Sequence, residues 1–288
     1  MRIRRRAEWL LSAPSVLWLV VFFALPTLLV LALAFKPATL NGNIGEGWTL
    51  ETLRRLANPS YPAIIWRTFW LSLVCTVLSV GLGIPVAYWV ARQPERIRRW
   101  ALLLIILPFW TNFLIRVFAW RILLHPDGLV KDGLVALGLA EPNDQLLYNS
   151  WAILLVLVYT YLPFAILPLY AAAEKFDFDL LDAARDLGAS RWTAFCRVFV
   201  PGIRVGLVTA VLIVFIPALG SYAIPEIVGG PTSEMIGNKI AQRVFTERSL
   251  PDASALSAVL ALAVFVPLAI GLWLRRRSEA DTATKGIR

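Results

Sequence analysis

The chain has 288 residues, of which 58% are hydrophobic and only 16% are charged, and its mean hydropathy is +0.68. This composition lies well above the usual range of soluble proteins and argues against a water-soluble enzyme. The formal net charge of +9 is compatible with binding to nucleic acid, with binding to an anionic membrane surface or with membrane topology. The positions of the charges along the chain decide between these explanations.

Six apolar stretches predict six transmembrane helices, because each is long enough to cross about 30 Å of hydrocarbon. They are residues 9–35, 68–91, 100–124, 148–173, 205–225 and 253–274. The first stretch follows several arginines and ends in small residues that resemble a signal-peptidase site. Its apolar core is much longer than the roughly 7 to 15 residues of a signal peptide, so we predict a retained helix.

The basic residues are distributed unevenly between alternate loops. Eighteen of them lie in the N-terminal segment, in residues 92–99 and 174–204, and in residues 275–288, whereas the other loops carry eight. The positive-inside rule therefore predicts that both termini and residues 174–204 are cytoplasmic. The net charge then reflects the topology of a multi-pass protein in the lipid bilayer, and we expect no nucleic acid partner.

Motifs for soluble catalysis are missing from the sequence. There is no Walker A pattern, nucleophile elbow or zinc-binding helix, and a lone His125 makes no metal site. Cys75 and Cys196 are too far apart in the predicted topology for a disulfide, so we expect free thiols. We predict no catalytic residues, no metal and no cofactor. A secondary transporter remains an alternative, although its coupling acid would have to be Glu226 at the end of the fifth span.

Residues 174–204 are too rich in apolar residues for a plain linker and are predicted to form two short helices. Asp177 or Asp179 is expected to cap the first helix, and Gly188 to end it. The apolar face of this helix would consist of Leu180, Ala183, Ala184 and Leu187.

The second helix of this loop is expected to begin at Ser190 and to break at Pro201-Gly202. Its apolar face would consist of Trp192, Phe195, Cys196 and Phe199. The spacing alone leaves two interpretations open: the helices lie on the lipid surface, or they form a docking site for a partner protein.

A longer pattern runs through the same loop. Asp182-Ala183-Ala184 is followed after three residues by Gly188, and after nine more by Val198-Phe199-Val200-Pro201. This resembles the cytoplasmic signature of ATP-binding-cassette importer permeases, which is Glu-Ala-Ala, three residues, Gly, nine residues, Ile, any residue, Leu and Pro. In that family the loop supplies the coupling helix that sits in a groove of a separate ATPase subunit. The resemblance implies that the ATPase-coupling residues are Asp182, Ala183, Ala184, Gly188 and Pro201.

The resemblance also implies the architecture and the partners. We expect an all-α membrane protein with the type I ABC importer permease fold and six transmembrane helices, in a bacterial inner membrane. The implied partners are two copies of a cytoplasmic ABC ATPase, a second permease subunit that is homologous or identical, and an external or periplasmic solute-binding protein. ATP hydrolysis in a partner chain would account for the missing Walker A motif. We therefore expect this chain to be a transport subunit and not an enzyme.

Two further segments carry motifs of a narrower group. They are Leu107-Pro108-Phe109-Trp110-Thr111-Asn112-Phe113-Leu114-Ile115-Arg116 with Ala119-Trp120, and Ala218-Leu219-Gly220-Ser221-Tyr222-Ala223-Ile224-Pro225-Glu226 with Gly229-Gly230-Pro231 and Met235-Ile236-Gly237-Asn238. Both are similar to the permeases of polyamine importers, which carry putrescine and spermidine. Those permeases often have an acidic residue where Ser221 stands, and importers of other small solutes share the architecture. Polyamine is therefore the predicted cargo, with another small solute as the alternative.

Aromatic faces, amide oxygens and carboxylates in these segments suit the ammonium groups of such a cargo. The predicted pathway or gate residues are Trp110, Asn112, Arg116, Trp120, Ser221, Tyr222 and Glu226. For the aromatic residues, ordinary helix packing is the open alternative. A continuous third helix would place Arg116 about 24 Å from Trp100, at 1.5 Å per residue, and therefore inside the hydrocarbon. We hypothesise that Arg116 contacts Glu226 and braces an outer gate.

Overall fold

The described chain is helical throughout. This structure is a computed structural model that describes residues 12–39, 44–56, 58, 60–139 and 141–265. Within these ranges there is no β-strand, and the one β-type pairing is an isolated bridge between Ala38 and Ile44. The all-α prediction is confirmed.

The helices follow one another with few long connections. In chain order they are α1 (Ser12–Leu33), α2 (Glu51–Arg55), α3 (Ser60–Ala91), α4 (Glu95–Ile106), α5 (Phe113–Leu123), α6 (Leu129–Ala136), α7 (Ser150–Ala173), α8 (Asp179–Asp186), α9 (Arg191–Gly202), α10 (Arg204–Leu219), α11 (Ala223–Val228), α12 (Ile236–Ala241) and α13 (Leu250–Phe265). The chain divides into two compact units, Met1–Ala63 with Lys239–Arg288 and Ile64–Asn238.

The first unit contains α1, whose apolar side chains have no protein cover. The helix is strongly hydrophobic, and none of its residues between Val20 and Leu33 is buried. A helix that is apolar all round and uncovered by protein is typical of a lipid-facing span. Beyond its end, Ala34 packs with Ala255 and Ala258 in a small core.

The second unit is built on close contacts between α3, α7 and α10. A Cβ at Gly206 of α10 would lie 2.5 Å from the Cβ of Ala172 on α7, and one at Gly83 of α3 would lie 3.0 Å from Cδ1 of Leu169. Small residues allow membrane helices to approach in this way, because packing rather than hydrophobicity holds them together in lipid. The hydroxyls of Thr76 and Thr209 donate to the carbonyls four residues earlier, at 2.7 and 2.8 Å, so neither is left unsatisfied.

The third predicted span is bent rather than continuous. Its two helical parts, Glu95–Trp110 and Phe113–Leu123, meet at 88°. Pro108 has no N–H for the helical ladder, the backbone tightens to a 3-10 turn at Leu107–Trp110, and Thr111 is extended. Asn112 then starts α5, because its Oδ1 accepts a hydrogen bond from Leu114 N at 2.8 Å. The assumption of one continuous helix over residues 100–124 is therefore wrong.

The other predicted spans overlap apolar helices of the structure, but their bounds differ. Three helices are long and apolar enough to cross a membrane, Ser12–Leu33, Tyr61–Ala91 and Ser150–Ala173, and the two bent pairs raise this to five among the described residues. The fifth stretch ends early, since α10 stops at Leu219 and α11 begins at Ala223. The shorter helix α13 reaches the limit of the described chain at Phe265. Residues 1–11 and 266–288 lie outside the described residues, so the six-span count and the cytoplasmic termini stay predictions.

Candidate functional site

Residues 174–204, which we name the coupling loop after their predicted role, contain the two predicted helices. The N-cap of α8 is Phe178, and Asp177 before it accepts from Asp179 N through Oδ1 at 3.1 Å. Ser190 caps α9, with its Oγ accepting from Thr193 N at 3.1 Å. Gly188 lies between them with φ of +89°. A Cβ there would meet no atom within 4 Å, so glycine is required by the left-handed backbone and not by a close approach within this chain.

The apolar face predicted for α8 is turned away from the core. Leu181 is the side chain that packs inward, at 6% exposure, whereas Leu180 is 51% and Leu187 is 90% exposed. On α9, Trp192 is 73% exposed while Phe199 is fully buried. Exposed apolar side chains grouped in this way mark an interaction surface. We call Leu180, Leu187 and Trp192 the exposed face of the coupling loop.

An aromatic cluster joins the coupling loop to the long helices. The ring of Tyr88 on α3 contacts Phe195 and Phe199 of α9, with centroids 5.2 and 4.9 Å apart. Phe176, which follows α7, stacks edge-on against Phe199 at 5.2 Å. These ring contacts pack α9 against α3 and against the residues that follow α7.

The other predicted coupling residues lie in the same region. The carboxylate of Asp182 has an intramolecular partner, Arg185 Nη1, at 3.0 Å, and both side chains are exposed. Ala183 is exposed and Ala184 is half-buried. Pro201 precedes the 72° bend between α9 and α10. A cleft of about 1010 Å³ separates α3 from the loop and is lined by Ile84, Tyr88, Arg92, Asp182, Trp192 and Phe195, among others.

The predicted pathway residues lie on or next to α5 and α11, and α11 packs against both α5 and α7. Trp120 is half-buried and packs edge-on against Tyr159 at 5.3 Å, which is ordinary helix contact. Trp110 is 78% and Tyr222 is 44% exposed, and Ser221 is buried. The structure therefore leaves two of the three aromatic candidates free to contact another molecule.

The hypothesised contact between Arg116 and Glu226 is wrong. No ion pair joins them within the described chain: the Arg116 Cζ lies 5.5 Å from the Phe109 ring centroid, and its Nε is buried without an acceptor. The carboxylate of Glu226 instead accepts from Asn238 Nδ2 at 2.7 Å. Arg116 would lie at the depth of Glu226 only if the third span were one continuous helix, and the bend before α5 interrupts that helix.

Asn112 and Asn238 have roles that the sequence analysis did not assign. Asn112 was a pathway candidate, and its side-chain oxygen serves as the N-cap of α5. Asn238, which is only 5% exposed, holds Glu226. Asn112, four residues after Pro108, is a recognisable helix-cap signal in the sequence. Nothing in the sequence spacing connects Asn238 with Glu226. The two cysteines are free thiols, with Cys75 buried and Cys196 exposed.

Comparison with known proteins identifies the class. Residues 79–283 match the family described as the binding-protein-dependent transport system inner membrane component. A chain from a crystal structure of a bacterial ABC transporter that imports the acidic polysaccharide alginate has the same fold, with a TM-score of 0.70, 20% identity, and coverage of 96% of this chain and 99% of that chain. The chain belongs to this family of ABC importer permeases.

Two curated relatives are similar over most of their length. The spermidine/putrescine transport system permease protein PotB of Haemophilus influenzae is 34% identical, over 92% of this chain and 94% of the relative. PotB of Escherichia coli is 33% identical, over 88% of this chain and 92% of the relative. The predicted permease class is confirmed: the chain is a multi-pass transport subunit of the bacterial inner membrane, not an enzyme, and its family works with a binding protein.

Proposed function

We propose that this chain is a permease subunit of a polyamine importer and forms part of the pathway for spermidine and putrescine. The observation that carries the proposal is the similarity to PotB proteins over about nine-tenths of the chain, at 33 to 35% identity. That similarity includes both the coupling loop and the segment around Glu226.

The chemistry around α11 supports a cationic cargo. Glu226 has an exposed carboxylate, and the Tyr222 ring one turn earlier is also exposed. Ammonium groups bind carboxylates and aromatic faces, while the methylene groups of a polyamine need only apolar walls. Ser221 is buried and too weak a ligand for a cation, so Glu226 is the proposed acidic contact in this chain.

The exposed face of the coupling loop supports docking to an ATPase. We propose that the importer has two ATPase subunits and that the coupling loop of each permease contacts one of them. In this chain the docking turn would consist of Asp182, Ala183, Ala184 and Gly188, and the loop would end at Pro201. Closure of the ATPases would pull α9, and the aromatic cluster would pass that movement to α3 and α7. A second permease subunit, homologous or identical, would complete the enclosure, because about six helices are too few to surround a pathway.

A competition experiment tests the proposed cargo. The importer is reconstituted in liposomes with its ATPase, its second permease and its binding protein, and ATP-driven uptake of labelled spermidine is measured. We expect unlabelled putrescine to compete and Glu226→Gln to lower uptake at least tenfold, since a hydrogen bond to a charged group contributes about 1.5 to 3 kcal/mol. ATP-driven uptake of a neutral solute, with spermidine neither carried nor competing, would contradict the cargo and leave the permease class intact.

A further inference from the structure

Asn238 is a buried polar side chain with three hydrogen bonds. Its Oδ1 accepts from Met235 N at 3.2 Å, and its Nδ2 donates to Tyr222 O at 3.3 Å and to Glu226 Oε2 at 2.7 Å. Only this orientation of the amide fits, because the backbone N–H can only donate and the carbonyl and carboxylate can only accept. The amide is therefore fixed, and it fixes one oxygen of Glu226.

The fold brings Asn238 to this place through its neighbours. A Cβ at Gly237 would lie 2.5 Å from Ser221 O, so only glycine allows the chain to come so close to the turn before α11. On the other side, Ile236 N donates to Thr68 Oγ1 at 2.8 Å, and that hydroxyl donates to Ile64 O at 2.8 Å. The segment that carries Asn238 is held from both sides.

Glu226 keeps one carboxylate oxygen available. Asn238 engages Oε2, whereas Oε1 has no partner in the described part of the chain, and the side chain is exposed. A carboxylate whose rotation is already restricted loses less conformational freedom on binding than one that is free. The arrangement suits a ligand that brings its own donors to Oε1.

We propose that Asn238 is a positioning residue for cargo binding: it holds Glu226 Oε2 so that Oε1 accepts an ammonium group of a polyamine. This inference rests on the proposed function and adds a residue that acts through Glu226. Asn238 itself does not touch the cargo.

A binding experiment on the purified complex of permeases and ATPases tests this role. Spermidine affinity is measured by calorimetry without the binding protein, for the wild type, Asn238→Ser, Glu226→Ala and the double variant. Serine can still accept from Met235 N but is too short to reach Glu226. We expect Asn238→Ser to weaken spermidine binding about tenfold, the usual effect of losing a hydrogen bond to a charged group. The double variant should bind no more weakly than Glu226→Ala alone.

Thr76→Val is the matched control, because it removes a buried hydroxyl from the same helix, α3, without touching the segment that carries Asn238. We expect it to leave spermidine affinity within about twofold of wild type. The yield of purified complex and its basal ATP turnover verify that each variant is assembled. If Asn238→Ser gives a poor yield, Asn238→Ala is measured in its place. Additive losses in the double variant, or an equal loss in Thr76→Val, would overturn the positioning role.

The outcomes also separate this inference from the function on which it rests. Spermidine binding by the wild type with unchanged affinity in Asn238→Ser would overturn the inference alone. A wild-type complex that turns over ATP but binds neither polyamine would overturn the proposed cargo, and the inference with it.

Discussion

At Gly188 the backbone has a φ of +89°, which places this residue at the turn between the two helices of the coupling loop. The space around it is empty, so a larger side chain would meet backbone strain and no clash within the chain. A change here therefore alters the angle between α8 and α9, and through it the exposed face of the loop.

We predict that Gly188→Ala lowers ATP-driven uptake severalfold, because alanine in the left-handed region costs about 1 to 2 kcal/mol and shifts the turn. The matched control is Gly138→Ala, since Gly138 has φ of +69°, also in open space, but follows α6 outside the coupling loop. Uptake and ATP turnover are measured for both variants in proteoliposomes. Equal losses in the two variants would mean that general strain, and not the coupling turn, is responsible.

Individual polar residues were the hardest to assign from the sequence. The predicted topology places Arg116 and Glu226 at a comparable depth, yet each has other surroundings, Phe109 for Arg116 and Asn238 for Glu226. The side chain of Glu226 is directed by a residue 12 positions later, and no periodicity along one helix reports such a contact. The carboxylate was predictable, and its partner was not.

At the scale of elements, the coupling loop was the most predictable part. The hydrogen bond of Asp177 at the start of α8, the cap at Ser190 and the turn at Gly188 follow from local chemistry. Short polar side chains accept from free N–H groups, and glycine takes the left-handed backbone. Leu180 and Leu187 of the predicted apolar face are exposed, whereas Leu181, which lies outside that face, is the leucine that packs inward. Helical spacing finds an amphipathic face but cannot show which of two leucines has a partner.

The spans were predictable as apolar segments but not as straight helices. Mean hydropathy does not depend on the direction of the helix axis. Residues 100–124 therefore have the same mean hydropathy whether the helix is straight or bends by 88°. The local signals for the bend, Pro108 and the cap Asn112, were present in the sequence. These two residues together indicate a bend between α4 and α5 that hydropathy does not detect.

We predict that Phe199→Ala destabilises the permease, whereas Trp192→Ala leaves its stability unchanged. Phe199 is fully buried in the aromatic cluster, so its loss should cost about 3 to 5 kcal/mol and lower the thermal midpoint of the purified permease. Trp192 is 73% exposed, and its loss should leave that midpoint unchanged while weakening ATPase binding. Thermal unfolding in detergent and co-purification of the ATPase measure the two effects. An unchanged midpoint in Phe199→Ala would contradict the proposed link through the aromatic cluster.

On the scale of the whole molecule, orientation can be read from two cysteines. Cys196 is exposed on the coupling loop, and Cys75 is buried in α3. We predict that a membrane-impermeant maleimide labels the wild type only in inside-out vesicles washed of peripheral subunits. Cys75→Ser should keep this labelling and Cys196→Ser should lose it. Labelling of Cys196 in right-side-out vesicles would contradict a cytoplasmic coupling loop.

The most direct test of the account is concentrative spermidine uptake by the complete importer in proteoliposomes, with ATP supplied on the side of the coupling loop and the loaded binding protein on the other. We predict that spermidine accumulates only when both are present, and that exposed-face variants such as Trp192→Ala lose uptake together with ATPase binding. Accumulation driven by an ion gradient without ATP, or full uptake by variants that no longer bind the ATPase, would contradict it.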